Sequence, residues 1–579
     1  MKAKYGNSIK IGPVAGKDVS LVMTPVMRAT HTYICGSTGT GKSKMLEHLI
    51  RQDIANWNSS KSGMLVIDPH GSLYDSLMQW IAWEEPCIGK VPIVPIDLRQ
   101  KDWTIGYNLI RPRTTAATSV IIDNFVQAMA YVWGASGTDQ TPLFARIASN
   151  VLWTLYENKM TILESEFLID RVNKRMRYEM AQGLSMPSMT KEWMYANSLS
   201  PRDYDALISS TVNRFYSFMN NDRLRLMFGQ NGASLDLGDA LENGSIILVN
   251  LSTEGAHISE EDASLFATLL LSDLWTAAKE RGKGTDGKDI NPFYVYIDEF
   301  QNFITPTIAK NLDQARGFGL HLTLANQFPR QILNAGANGQ QVYDSVMANA
   351  RSKIVFEVRG EDNLRPLALD LFMGVMNPDE IKHELYSTKV MSYVEETRTV
   401  HSESQGWSKA TGHFTGATGT VSEGGSIFDA AQQNAQSWNK ADANSDGTSN
   451  MDVESGGTST SEVPFLKPVF GKELSSVQFR SLEEQIFQAM AVLHDQKQRH
   501  CVVRLTGMSA PESVVTPLIK KTPADKKMVK SFLTRRYKKL KFALLSTDAR
   551  KAVNDRRQKF EAGLLKNAAE PVTVKRRIK

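Results

Sequence analysis

Ten residues, Ile34-Cys-Gly-Ser-Thr-Gly-Thr-Gly-Lys-Ser43, constrain this 579-residue chain more than any others. Gly36, Ser37, Thr38, Gly39, Thr40, Gly41, Lys42 and Ser43 fit the pattern G-x-x-x-x-G-K-[ST]. A β-prone run, Thr32-Tyr33-Ile34, precedes them, and apolar residues at helical spacing follow: Met45, Leu46, Leu49 and Ile50. Glycine has no Cβ, so the backbone can turn tightly and approach an anion. Successive N–H groups then form a nest for phosphates, and the positive end of the following helix adds to it. Lys42 is expected to reach the β- and γ-phosphates of ATP, and Ser43 to ligate Mg²⁺. Strand, loop and helix together predict an α/β fold.

The chain is long enough for roughly two to four domains. A hydrophobic content of 42% with 22% charged residues fits a soluble globular protein. Three cysteines, Cys35, Cys87 and Cys501, are odd in number and far apart, which predicts neither a disulfide framework nor a zinc site. A reducing cytoplasm is the simplest home. No run approaches the roughly 20 apolar residues of a spanning helix. The net charge of +5 hides an asymmetry: Lys520–Lys579 holds 20 Lys/Arg and 5 Asp/Glu, so the rest of the chain carries −10. A basic tail on an acidic body points to nucleic acid or another anionic partner, or to a solvated, partly helical face.

Residues 1–29 read as short strands. The sheet begins in 30–112, where Gly63-Met-Leu-Val-Ile-Asp68 is a buried-strand run and Val91–Asp97 another, its prolines favouring an edge. Asp68 either faces a ligand or serves the Asp-Pro-His-Gly turn. From 113 to 237 apolar residues recur at helical spacing (Phe144, Ile147, Val151, Leu155), predicting an all-α insertion domain. The sheet resumes in 238–398 with Ser245–Leu251, Phe293–Ile297, His321–Gln327 and Lys353–Val358. Apolar runs alternating with helices predict a mainly parallel sheet covered on both faces. Residues 399–465, rich in Ser, Gly, Thr and Asn, cannot offset their ordering entropy by burial and are expected to form a flexible segment. A helix and a strand return to the core in 466–519, and the basic tail occupies 520–579.

Asp298-Glu299 ends a strand of five apolar residues, the pattern of an acid that holds Mg²⁺ and a second acid that orients or deprotonates the attacking water. Asn326-Gln327 ends the next strand, where an amide either senses the γ-phosphate or bonds the turn. A cation aimed at the developing charge is often supplied in trans; Arg316, Arg351, Lys353 and Arg359 are candidates that spacing does not separate.

The order of P-loop, Ile-Asp-Pro-His-Gly, helical insertion, Leu-Val-Asn-Leu-Ser, Tyr-Ile-Asp-Glu-Phe and Ala-Arg-Gly-Phe-Gly-Leu-His-Leu-Thr-Leu-Ala-Asn-Gln resembles the HerA/FtsK superfamily of ring-forming DNA-pumping ATPases. The insertion makes it most similar to the conjugative type IV secretion coupling proteins of TraD/TrwB type, over roughly Thr30 to Arg365. The resemblance implies a RecA-like motor, a homohexamer with ATP sites between subunits and DNA in a central channel, working with a relaxase and secretion-channel proteins. It assigns Lys42 and Ser43 to phosphate and Mg²⁺, Asp298 to the metal, Glu299 to the catalytic base and Gln327 to the sensor. Arg316 matches a family arginine. Lys353, near Arg351, stands where FtsK-like motors have a trans-acting arginine, and lysine lacks that planar bidentate fork. Many coupling proteins carry N-terminal membrane helices; here the P-loop begins 35 residues in. The expectation is a soluble protein, or one docking peripherally at the inner face of the membrane.

Overall fold

The fold follows from strands that are apolar at every position. Such runs need cover on both faces, and alternate side chains must enter opposite layers. In a computed structural model, which describes residues 8–111, 115–132, 141–232, 234–256, 258–282, 290–303, 312, 314–334, 339–409 and 452–568, they form the middle of a nine-stranded sheet. In chain order the strands are β1 (Ile9–Pro13), β2 (Ser20–Met23), β3 (Thr32–Cys35), β4 (Gly63–Asp68), β5 (Ile93–Asp97), β6 (Trp103–Ile105), β7 (Ile246–Asn250), β8 (Phe293–Ile297), β9 (Leu320–Asn326), β10 (Ser352–Val355), β11 (Ile381–Lys409), β12 (Asp452–Phe479), β13 (His500–Arg504), β14 (Glu512–Val515) and β15 (Ala543–Leu545). The large sheet has the order β14-β13-β10-β3-β9-β8-β4-β7-β5. From β10 to β5 all neighbours are parallel. β13 and β14 add an antiparallel edge.

Side-chain alternation divides the core in two. Ile34, Met64, Val66, Ile246, Leu248, Tyr294 and Tyr296 pack with Met45, Leu46, Leu49 and Ile50 of α1 (Lys42–Ala55) and Leu73, Leu77 and Ile81 of α2 (Ser72–Ile88). Their neighbours Tyr33, Cys35, Leu65, Ile67, Ile247, Val249 and Val295 enter the opposite layer. That layer includes α3 (Thr115–Val132), α4 (Thr141–Glu157), α5 (Pro201–Asn220), α6 (Asp222–Phe228) and α7 (Glu260–Arg281). The predicted insertion is helical where described, and it shares one core with the sheet. Residues 112–114, 133–140 and 233 of that region lie outside the described residues. Helix starts obey local chemistry: Ser259 Oγ accepts the Asp262 N–H at 3.0 Å. A capping box between Thr161 and Glu164 heads a single 3₁₀ turn before a five-residue helix.

Two expectations change. Residues 399–409 and 452–465 are not a flexible linker but lie in a long antiparallel ribbon, β11 with β12; residues 410–451 lie outside the described residues. A ribbon is held by ladder hydrogen bonds, so poverty in apolar residues does not forbid it. It forms most of a compact unit of its own, Pro378–Arg480. The basic tail is not an appendage either, within the described residues. After α8 (Gly339–Asn349), α9 (Glu361–Phe372) and α10 (Leu482–His494), the tail's helix α11 (Lys526–Lys539) packs on α2, β15 pairs with β6, and α12 (Ser546–Ala568) contacts α6. Phe532 and Tyr537 are buried, with Tyr537 stacked 5.5 Å from Trp103. Its cations meet acids of the body: Arg535 and Glu85 at 2.5 Å, Arg550 and Asp222 at 2.6 Å, Arg556 and Glu164 at 2.9 Å. Residues 569–579 lie outside the described residues.

Candidate functional site

β3 ends at Cys35 and α1 begins at Lys42, so Gly36–Gly41 forms the loop between strand and helix at the carboxyl edge of the parallel sheet. Gly39 and Gly41 adopt φ of +82° and +123°, a region that disfavours other residues. A Cβ on Gly36 would stand 2.5 Å from Phe356 Cβ, so only glycine fits there. The Ser37 N–H donates to Glu357 O at 2.8 Å, and Thr40 Oγ1 to Ser37 O at 2.7 Å. Two further contacts come from the far end of the chain. The Arg499 N–H donates to Thr40 O at 2.8 Å and Gln498 Nε2 to Gly39 O at 3.0 Å. Arg499 holds a left-handed backbone, φ +70°, and its guanidinium is tied to Thr516 O at 2.6 and 3.1 Å. With these carbonyls held from behind, the loop is set before any anion arrives. Residues 498 and 499 carry no motif, and nothing in their spacing identifies them.

β8 ends at Ile297, and the Asp298 N–H still donates to Ile67 O of β4 at 3.1 Å. The acids are thereby delivered to the same sheet edge as the loop. Lys42 Nζ lies 2.8 Å from Glu299 Oε1 and 3.4 Å from Asp298 Oδ1. Ser43 Oγ is 3.4 Å from Asp298 Oδ2. Lys42, Asp298 and Glu299 are each no more than 6% exposed. Glu299 has φ +45°, an unusual value for a non-glycine residue, of the kind that clusters at functional sites. Burial alone would raise its carboxyl pKa; the Lys42 ammonium and hydrogen bonds from Lys42, Gln301 and Gln327 outweigh that and hold it below the ordinary value. The hydroxyl of Ser43 and the carboxylate of Asp298 are hard oxygen donors side by side, a set that fits Mg²⁺.

Residues 9–274 match the family model of the helicase HerA central domain. The match includes the P-loop and the helical insertion and stops before Asp298 and Glu299. Among solved structures, the chain is similar to the bacterial conjugative coupling protein TrwBdeltaN70 in an unbound form, at 14% identity over 91% of each chain, with a TM-score of 0.46. It is similar to the plasmid coupling protein TrwB in complex with ADP and Mg²⁺, at 14% identity over 91% of this chain and 92% of that one, with a TM-score of 0.45. VirB4 of Thermoanaerobacter pseudethanolicus is 12% identical over 63% of this chain and 88% of its own, with a TM-score of 0.40. No curated protein sequence matches.

Around this site, other predicted residues fall into two groups. Gln327 Nε2 lies 3.4 Å from Glu299 Oε1, so the amide and the acid do converge. Gln301, absent from the sequence reading, sits closer, with Nε2 2.7 Å from Glu299 Oε2. Asn326 is structural: it accepts from the Tyr33 hydroxyl at 2.6 Å and donates to Phe328 O at 2.9 Å. Asp68 resolves to turn chemistry, one oxygen accepting the His70 N–H at 2.9 Å and the other the Tyr74 N–H at 2.8 Å. Lys353 departs from the role expected of it. It is buried, its ammonium held by Met347 O and Ala350 O at 3.1 Å and Asp370 Oδ2 at 2.5 Å, where it closes the end of α8 (Gly339–Asn349). Arg316 and Arg351 are exposed, and Arg359 pairs with Glu357 at 2.8 Å. None of these four cations touches Lys42, Asp298 or Glu299 among the described residues.

Proposed function

We propose that the protein is an ATP-driven DNA translocase of conjugation-type transfer, working as a ring of six identical subunits. The observation that carries this reading is the convergence of Lys42, Ser43, Asp298, Glu299 and Gln327 at one sheet edge. Gly36–Ser43 would cradle the phosphates of ATP. Ser43 and Asp298 would hold Mg²⁺, which when bound neutralises charge on the phosphates. Lys42 leaves Glu299 for the phosphates, and Glu299 takes a proton from the attacking water. The water oxygen bonds to the γ-phosphorus and the bridging P–O bond breaks, releasing ADP and phosphate. Gln327 orients the water or reports the γ-phosphate. Arg316 and Arg351, both exposed, are the cations proposed to face a neighbouring subunit's nucleotide. The partners in this reading are DNA, a relaxase and secretion-channel proteins at the inner face of the membrane.

DNA-stimulated ATP hydrolysis should fall to background in Lys42→Ala and Glu299→Gln, and electron microscopy with ATP and DNA should show a sixfold ring with DNA in its bore. Hydrolysis indifferent to single- and double-stranded DNA, in a protein that binds neither, overturns the reading. The ribbon favours a second reading, an ATPase acting on protein substrates. It exposes Tyr386, Tyr393, Leu466, Phe470 and Leu474, a surface suited to protein rather than phosphate. Stimulation by channel proteins without DNA would select it. A DNA-recruiting tail is less favoured, because α11 and α12 are packed on the body.

A further inference from the structure

Glu299 is held at both oxygens. Oε1 faces the Lys42 ammonium at 2.8 Å and the Gln327 amide at 3.4 Å; Oε2 faces the Gln301 amide at 2.7 Å, its one partner among the described residues. The partners differ in what nucleotide does to them. Lys42 is the group that phosphates claim, so Oε1 loses its strongest partner when the site fills. A carboxylate on a left-handed backbone would then be free to swing unless Oε2 stays tied. The Gln301 amide can do this because it is neutral: no phosphate competes for it as for an ammonium. Its orientation is set by chemistry, since only the NH₂ side can face a carboxylate at 2.7 Å. The other end, Oε1 of Gln301, is buried and has no hydrogen-bond partner among the described residues. Among the described residues, this side chain therefore answers to Glu299.

We propose that Gln301 is a positioning residue for hydrolysis: it keeps Glu299 aimed at the water after Lys42 has moved to the phosphates. This rests on the ATPase reading above and adds the residue that acts through Glu299.

Gln301→Leu keeps most of the bulk and removes the donor. In the full chain with Mg-ATP, kcat should fall roughly tenfold to a hundredfold, in the range of lost acid–base positioning, while KM for ATP changes less than about threefold. Glu299→Gln run alongside separates the two levels. If it abolishes hydrolysis while Gln301→Leu leaves kcat unchanged, the role of Gln301 falls and the site stands. If Glu299→Gln hydrolyses ATP as the wild type does, the reading of the site itself falls.

Discussion

Lys42 and Glu299 form a buried ion pair, which decides how variants of the site behave. Removing one partner leaves a charge without compensation, a cost of about 3–5 kcal/mol in such settings. Lys42→Ala is thus expected to lower stability as well as activity, whereas Glu299→Gln keeps shape and most hydrogen bonds and is the cleaner probe. His31 offers an independent test of the core. Its Nδ1 accepts the Leu322 N–H at 3.1 Å and its Nε2 lies 3.2 Å from Leu312 O, so the neutral ring with hydrogen on Nε2 satisfies both. Burial, with Arg316 adding to it, lowers its pKa to about 4. The folded value lies below the unfolded value of about 6.5, so between them the unfolded chain binds more protons, and stability falls as pH drops through that window. The loss from this ring is about 3 kcal/mol. Urea unfolding at pH 7 and pH 4.5 should show a smaller difference for His31→Asn, a residue that tolerates the left-handed backbone at φ +56°.

At the scale of elements, the parallel sheet and the acids at its edge were legible because local pattern and chemistry agree there. Asp298 and Glu299 follow five apolar residues, and the glycines of the loop permit one kind of turn. Gln498, Arg499 and Gln301 were not legible, since each acts through a contact that sequence distance conceals. Charge left the tail open between an anionic partner and a solvated, partly helical face; Arg535, Arg550 and Arg556 of its twenty Lys/Arg meet Glu85, Asp222 and Glu164 of the same chain. Deleting Lys520–Lys579 would strip Tyr537 from Trp103 and leave the buried Glu164 without Arg556, whose guanidinium also bonds Gly229 O at 2.6 Å. Thermal unfolding of that truncation should show a large fall in Tm. Neutralising the exposed Lys526, Lys527, Lys538, Lys539 and Lys541 to Gln should leave Tm nearly unchanged. If this face tracks DNA, the same variant will bind DNA with a shallower dependence on salt.

At the scale of the molecule, the ribbon unit enters and leaves the body at neighbouring points. Asn377 and Gln485 exchange two hydrogen bonds, 3.0 Å to the side-chain oxygen and 2.7 Å to the backbone carbonyl. Joining Asn377 to Ser481 by a short flexible linker should therefore preserve the fold of the body, with Tm and basal ATP hydrolysis close to the full chain's; loss of both would show that the body depends on the ribbon. The same return of the chain bears on how the protein is made. β10 lacks its β13 neighbour, and the carbonyls of Gly39 and Thr40 lack their partners, until residues 498–504 have been synthesised. The N-terminal β1–β2 pair is likewise tied to β14, through the Val14–Val514 bridge and the Lys17–Glu512 ion pair. A ribosome that has translated the loop in its first tenth must translate most of the rest before that loop is finished. Until β13 emerges, the nascent chain carries an open β10 edge of the kind that invites strand-to-strand aggregation.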